Sequence, residues 1–348
     1  MTLEHFQDRI RAAAANGEKL CLRGGGTKDF YGNTPSGEIV DTRGYAGIVA
    51  YEPSELVVTA RCGTPLAELE NILAQNGQCL PFEPPHFGDA ATVGGCIAAG
   101  LSGPGRAAAG ALRDFVLGIK LIDGRAQALA FGGQVMKNVA GYDVSRLIAG
   151  SLGTLGLIAE VSLKLAPRPQ SGATLRLEMP QMRALETMNR WAGQPLPVSA
   201  SAWHDGELMV RLSGSTAGVR AAAAKIGGEA VGEPPWSGIR EHTDPFFAGS
   251  EPLWRLSLPS TAPALPLEGR QLLEWNGSLR WLKSGIDPAV VREAAQRVKG
   301  NATLFRAEQK SGNCFAPLAP VLERVHRELK AAFDPAGIFN RGRLLPGL

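Results

Sequence analysis

The residues with the plainest chemistry in this chain are Arg23-Gly24-Gly25-Gly26-Thr27-Lys28-Asp29. Three successive glycines let consecutive backbone N–H groups turn inward as a nest, and a nest binds an anion. Arg23 and Lys28 flank it with positive charge, so a pyrophosphate is the natural occupant. A flexible surface loop is the alternative. It is not a P-loop, because no Gly-Lys-Ser/Thr follows at the required spacing. A second station lies within Lys137–Leu165, where Gly150, Gly153 and Gly156 recur at every third residue with Ser151 and Thr154 between them. Glycine lets a flat ligand lie directly on the backbone, and the two hydroxyls can donate to it. A tight helix–strand connection is the bland alternative, and it would require one glycine rather than three. A third close backbone approach is Thr92–Gly95, followed by the small residues Ala98, Ala99 and Gly100. Such residues suit a helix N-terminus or turn pressed against phosphate and ribityl oxygens.

Groups that could move protons or bind metal are sparser. The five histidines (5, 86, 204, 242 and 326) show no ligand spacing, and the five cysteines (21, 62, 79, 96 and 314) include no CxxC pair. That excludes an iron–sulfur or zinc scaffold of the usual spacing and suggests a reducing compartment. His86 follows two prolines just ahead of the Thr92 station. His204, His242, Arg211, Arg255 and Arg280 are pocket candidates by position alone. No catalytic residue is singled out, and no metal site is expected.

The elements that must position these groups follow from periodicity. Leu3–Ala15 is a helix with Leu3, Phe6 and Ile10 inward. Leu20–Arg23 is a strand opening into the first glycines. Gly47–Tyr51 and Leu56–Arg61 are strands broken by Pro53. Thr64 caps a helix that starts at Pro65, and Asp123-Gly124 reads as a two-residue hairpin turn between Asp114–Ile122 and Arg125–Phe131. Tyr142–Ala149 is a short helix with Val144, Leu147 and Ile148 on one face. It leads through the glycines to a strand, Leu157–Leu165, with Ile158 on one side. Helix, glycine loop, strand reverses the order of a dinucleotide fingerprint. The texture changes after Pro167 and Pro169. Strands and helices between 174 and 226 form an α+β unit, and those between 254 and 306 look like a second pass of it. Most of the six tryptophans fall here, where core packing is the safer reading for each. Pro317–Ala332 is an amphipathic helix with Leu318, Val321, Leu322, Val325 and Leu329 inward.

At 348 residues with 44% hydrophobic and 20% charged residues, the chain is an ordinary globular protein large enough for two domains. A net charge of +3 is too small to argue for nucleic acid or an anionic membrane. No apolar run approaches a membrane span. The N-terminal helix carries Glu4 and Asp8, unlike a signal peptide. The expectation is a cytoplasmic location.

The 137–165 segment resembles the FAD domain of the vanillyl-alcohol-oxidase/p-cresol-methylhydroxylase flavoproteins, and the tail Phe333-Asp-Pro-Ala-Gly-Ile-Phe-Asn-Arg-Gly-Arg-Leu344 resembles the closing motif of FAD-linked 2-hydroxyacid dehydrogenases. Within the former the chain is most similar to the small FAD-binding subunits of bacterial glycolate oxidase. The resemblance covers the first half and the extreme C-terminus well and the middle poorly. It implies an α+β fold: a PCMH-type FAD-binding domain of two α/β subdomains over 1–168, a cap domain with a mixed or antiparallel sheet over 169–315, and 316–348 returning to the FAD domain. It implies noncovalent FAD held by Arg23–Asp29, by Ala91, Thr92, Gly94 and Gly95 at the pyrophosphate, by Gly150, Ser151, Gly153, Thr154, Gly156 and Ile158, and by Asn340 near the flavin ring. The related tail motif has proline where this chain has Arg341. The implied partners are a larger metal-bearing FAD subunit and an iron–sulfur subunit of glycolate oxidase, with a small 2-hydroxyacid as substrate, neither nucleic acid nor a membrane span, and any inner-membrane attachment peripheral, through the complex. The metal-holding His-x-x-Gly-Asp-Gly-Asn segment of the related dehydrogenases is absent here. Three readings stay open: a flavin-bearing redox subunit, a structural subunit that transfers no electrons, and a stand-alone 2-hydroxyacid dehydrogenase.

Overall fold

The computed structural model describes residues 1–133, 143–310 and 312–348. Residues 137–142 of the second glycine station therefore lie outside the described residues. Helix α1 (Leu3–Asn16) starts where the Thr2 hydroxyl accepts from His5 N and stops at Gly17, whose φ of 70° is left-handed. It buries Phe6, Ile10 and Ala13, one face at i, i+4 and i+7. Strand β1 (Leu20–Arg23) pairs in parallel with β2 (Glu38–Asp41), which the periodicity does not predict.

There follow β3 (Ile48–Glu52), β4 (Val57–Arg61), α2 (Leu66–Gln75), β5 (Gln78–Cys79), α3 (Val93–Ala99) and α4 (Arg106–Ala109). Then come β6 (Val116–Ile122), β7 (Ala128–Gly132), α5 (Val144–Ile148), β8 (Leu157–Lys164) and β9 (Ala166–Pro167). Strands β3-β4-β8-β6-β7 form one antiparallel sheet, and β8 at its centre is buried on both faces. Helices α1, α2 and α3 share one core with this sheet, which Leu20, Ile338 and Phe339 also enter.

Three local expectations are corrected here. Thr64 does not cap α2: its hydroxyl accepts from Gly47 N and donates to Arg61 O, and Pro65 takes the cap position. The β6–β7 connection is longer than two residues, because Asp123 Oδ1 accepts from Arg125 N and Gln127 N while Gly124 N donates to Phe333 O. Leu147 of α5 is exposed, and only Ser145 and Ile148 of that short helix are buried.

The second half is β10 (Ser171–Glu178), α6 (Gln181–Ala192), β11 (Val198–His204), β12 (Glu207–Gly214), α7 (Thr216–Ile226), β13 (Glu229–Ala230) and α8 (Trp236–Glu241). It continues with β14 (Leu253–Ser257), β15 (Arg270–Glu274), β16 (Leu279–Lys283), α9 (Pro288–Arg297) and β17 (Asn301–Arg306). These eight strands form one antiparallel sheet, ordered β13-β10-β12-β11-β15-β16-β14-β17. Matching β10–β13 onto β14–β17 makes that order read identically from either end, so the second pass is visible as pseudo-twofold topology. The second copy lacks a counterpart of α6 and runs through 259–269 instead.

The register decides what each face meets. Thr303, Arg255, Trp281 and Leu272 stand opposite one another across four strands, on one face with Leu253, Leu279 and Phe305. That face packs against Leu101, Leu152, Phe246 and Phe247. Trp254, Leu256, Leu282 and Leu304 point the other way and bury Val291 and Ala295 of α9. The large sheet therefore carries the glycine-rich half directly on one of its faces.

Helix α10 (Pro320–Phe333) differs most from expectation. Val321, Leu322 and Val325 are 63%, 53% and 49% exposed, and Lys330 is the helix's one buried residue. Only its last turns dock: Leu329 and Phe333 reach the main core, and Phe333 meets Phe131 edge-on at 6.2 Å. The tail beyond returns to β1, with Phe339 bridging Leu20 in parallel.

Candidate functional site

Chain geometry brings the glycine stations together. Strand β1 ends at Arg23 and delivers Gly24–Gly26 to the N-terminus of α3, where Thr92 Oγ1 accepts from Gly95 N at 3.2 Å. A Cβ on Gly24 would lie 2.3 Å from Thr92 Oγ1, and one on Gly25 would lie 1.5 Å from the Ala90 carbonyl oxygen. The two loops thus pass backbone against backbone, a contact only glycine permits. Among the described residues, the N–H groups of Gly25, Gly26 and Thr27 donate to no protein group. These amides edge a groove of about 440 Å³ whose walls include Arg23 to Asp29, Thr92, Gly95, Ala98, Ala99, Leu152, Asn340 and Arg343.

The charges at the groove are arranged rather than scattered. Arg23 pairs with Asp29 at 2.7 Å. Lys28 Nζ donates to the His86 carbonyl at 3.1 Å, and burial lowers its pKa. Arg343 donates to the Lys28 carbonyl at 3.1 Å, and burial lowers its pKa too. Unpaired amides with three cations beside them fit a diphosphate, which would satisfy the donors and offset the buried positive charge.

Asn340 closes the far wall. Its backbone N–H donates to Leu20 O, its Oδ1 accepts from Leu22 N at 2.7 Å, and its Nδ2 donates to Leu152 O at 2.6 Å. It therefore staples β1 to the loop before β8. Gly153, with φ of 72°, would carry a Cβ only 2.6 Å from Asn340 Nδ2, so this glycine serves the staple. Lys330 holds the tail from below: its Nζ donates to Thr154 O, Phe339 O and Asp334 Oδ2, at 2.7, 2.8 and 2.6 Å.

Of the residues singled out from sequence, Arg23 to Asp29, Thr92, Gly95 and Asn340 line the main groove. Gly94, Gly153, Gly156 and Ile158 line a narrow extension of it. Ala91, Gly150, Ser151 and Thr154 stand behind the wall, where Thr154 Oγ1 donates to Ser151 O and Ser151 Oγ finds no partner. Arg343 and Leu152 were not expected. The Arg-Gly-Arg tail is the only signal that could have found the first, and nothing distinguishes the second from core leucines.

The other candidates separate cleanly. The His86 ring meets Glu70 of α2 at 3.0 Å and is not among the residues lining the main groove. Arg280 is buried and donates to the carbonyls of Gly277, Pro263 and Ala262, a structural role. Arg211 pairs with Glu83 at 2.6 Å. His204 lies on β11 with Asp205 Oδ2 3.6 Å away. His242 and Arg255 instead line a small cavity where the large sheet meets the glycine-rich half, together with Glu274, Trp281 and Phe305. Glu274 had no sequence signal at all. Burial raises its pKa to about 7, although the Trp281 indole donates to Oε1 at 2.7 Å and Arg255 is near.

Comparison with known proteins extends this geometry. Residues 2–132 match the family model described as FAD binding domain. The chain is 45% identical over 337 residues to the glycolate oxidase subunit GlcE of Escherichia coli (strain K12), covering 97% of this chain and 95% of that protein. It is 30% identical over 155 residues to the glycolate oxidase subunit GlcD of Bacillus subtilis (strain 168), covering 44% of this chain and 33% of that one. Among solved structures, an alkyldihydroxyacetonephosphate synthase superposes with a TM-score of 0.68 at 14% identity, over 97% of this chain and 75% of that one, which is a likeness of fold. With near full-length identity of that order to one of its members, this chain belongs to the GlcE family of glycolate oxidase subunits.

Proposed function

We propose that this chain is the FAD-binding redox subunit of a glycolate oxidase, an FAD-dependent 2-hydroxyacid oxidoreductase that works with partner subunits. The observation that carries the reading is the unpaired amide cradle of Gly25, Gly26 and Thr27 with Arg23, Lys28 and Arg343 beside it. Backbone donors left without protein acceptors along a groove edged by three cations suit a diphosphate, and a relative kept only for its shape has no need of them. The cradle therefore favours the redox reading over a structural subunit.

Bound FAD supplies a two-electron acceptor for the substrate's hydride. The chain's own part is to bind, orient and enclose. The amides and cations hold the diphosphate, Asn340 fixes the wall by which the groove narrows, and Ala98 and Ala99 keep that wall slim. We assign Arg23 to Asp29, Thr92, Gly94, Gly95, Gly153, Gly156, Ile158 and Asn340 to the cofactor groove. Ala91, Gly150, Ser151 and Thr154 support it from behind. The domain division at 168 and 315 belongs to the same proposal, as do the partners: a larger metal-bearing flavoprotein subunit and an iron–sulfur subunit. No described helix is long and apolar enough to cross a membrane. A location on the cytoplasmic side, attached through the complex, is part of the reading.

Attachment is noncovalent. Cys21 and Cys62 lie at the groove, but burial raises both thiols, Cys62 to about 12, which leaves little nucleophilic thiolate. Acid denaturation of the purified yellow protein should release FAD to the supernatant. Colour retained in the pellet would mean a covalent link, and a colourless native protein would return the argument to the structural-subunit reading.

A further inference from the structure

We infer that the cavity between the large sheet and the glycine-rich half, lined by Arg255, His242 and Glu274, is a binding site for a small monocarboxylate. The inference rests on the redox reading above and names residues of this chain that would hold its substrate class.

The surroundings call for an anion. Arg255 stands on the face of the sheet that is pressed against the glycine-rich half, and it lies 5.4 Å from the Trp275 ring. Arg106 approaches the same ring at 4.6 Å, and Arg306 lies 4.6 Å from Phe30. None of these three half-buried guanidiniums forms an ion pair or hydrogen bond among the described residues. Burial pushes the pKa values of Arg106 and Arg306 down, and Arg255 adds to the effect at Arg106. Of the three, Arg255 lines the cavity itself, and a bound carboxylate would give its unpaired guanidinium a partner. A guanidinium also matches a carboxylate's two oxygens in a planar fork.

A second observation points into the same space. His242 stacks on Phe247, with ring centroids 3.9 Å apart, and meets Trp281 edge-on at 4.6 Å. Its Nδ1 is buried without a hydrogen-bond partner. Burial, with Arg306 and Arg255 nearby, lowers its pKa well below the ordinary histidine value, so the ring is neutral and offers one donor and one acceptor. That suits the hydroxyl of a 2-hydroxyacid. The cavity's one carboxyl, Glu274, has its pKa raised by burial to about 7, so near neutral pH it offsets Arg255 only in part.

Size narrows the ligand. The cavity is about 20 Å³, room for one or two water-sized groups, and its walls are the large rings Phe87, Trp281 and Phe305. The space as it stands holds a carboxylate's two oxygens at most, so a two-carbon acid requires the ring walls to move apart and a five-carbon diacid requires far more.

The test uses the FAD-loaded chain, with glycolate, acetate and 2-hydroxyglutarate as probes, followed by calorimetry and by fluorescence of the wall tryptophans. Glycolate and acetate should bind and change the fluorescence, 2-hydroxyglutarate should not, and R255Q should weaken glycolate about ten- to a hundredfold with FAD content unchanged. R255K, which keeps the charge without the fork, should recover part of the affinity and carries the test if R255Q does not fold. H242A should weaken glycolate more than acetate, which lacks the hydroxyl. A yellow protein that ignores both small acids overturns the inference and leaves the flavin reading standing; a colourless protein defeats the flavin reading instead. Unchanged glycolate affinity in R255Q or R255K, or a shift only in the flavin spectrum, also overturns it, because the guanidinium would then serve the cofactor.

Discussion

Glu274 shows how one buried residue ties stability to the site. It is 3% exposed, and its carboxyl titrates at about 7 rather than 4.5 because burial penalises the charge more than the Trp281 indole and Arg255 relieve it, with Glu83 adding repulsion. The folded state thus holds its proton more tightly than the unfolded chain. Its contribution is most favourable below pH 4.5 and declines as pH rises toward 7, by a total on the order of 3 kcal/mol. E274Q removes the titration, so the variant should gain stability relative to the parent between pH 5 and pH 8. Urea unfolding of both at the two pH values checks this, and a difference that does not move with pH would show that the carboxyl is already ionised in the fold. Gly25 carries a different lesson. The sequence supports a nest there, and Gly25→Asp reads as a loss of cofactor from an intact fold. The Ala90 carbonyl, 1.5 Å from any Cβ, shows that the glycine also serves the crossing of two loops. Gly25→Ala should therefore lower the melting temperature as well as FAD content, and a variant as stable as the parent would contradict the crossing.

Helix α10 separates what periodicity can tell from what it cannot. Its apolar stripe is real, but among the described residues nothing covers it along the first half of the helix, where Val321, Leu322 and Val325 are exposed. Replacing those three with serine should change the unfolding free energy of the isolated chain by only about 0.5 kcal/mol each. Lys330 is the opposite case: a lysine in a charged helix reads as solvated, yet it is buried against Asp334 and two carbonyls. K330M removes the cation beside Asp334, whose buried carboxylate keeps only the Ile338 and Phe339 N–H donors, and should cost about 3–5 kcal/mol, with weaker FAD retention because the tail carries Asn340 and Arg343. Losses of similar small size in the two variants would mean that the tail is held by something else. Strands and helices were legible where local pattern suffices, as in α1, β8 and the repeated halves of the large sheet. The pairing of β1 with β2, the shape of the β6–β7 loop and the burial of Lys330 depend on partners distant in sequence. So does the carboxylate-sized cavity, for no spacing rule links Arg255, His242 and Glu274 before the sheet register sets Arg255 and Glu274 on one face.

At the scale of the whole molecule, the proposed cofactor groove and the proposed acid cavity both lie where the large sheet meets the glycine-rich half, with Leu101 and Leu152 packed against that sheet's face. Such a junction encloses a reaction from water, which strengthens every charge interaction inside it. The residue types at hand bear on where electrons go next. Among the described residues no group of three His, Cys, Asp or Glu side chains could hold a metal ion. Residues 134–142 and 311 contain none of these residue types either. The five cysteines are dispersed, so a cluster scaffold is absent from the sequence as well. We therefore expect electrons accepted in this chain to pass to a partner or to a soluble acceptor. Dialysis of the FAD-loaded chain against a strong chelator should therefore leave its absorption spectrum, melting temperature and glycolate affinity unchanged, while elemental analysis finds less than one metal per chain. Any activity of the assembled complex that a chelator abolishes should return on adding treated partner subunits remetallated separately, without remetallating this chain. A chelator-dependent fall in this chain's own melting temperature would place a metal within it and overturn the division of labour.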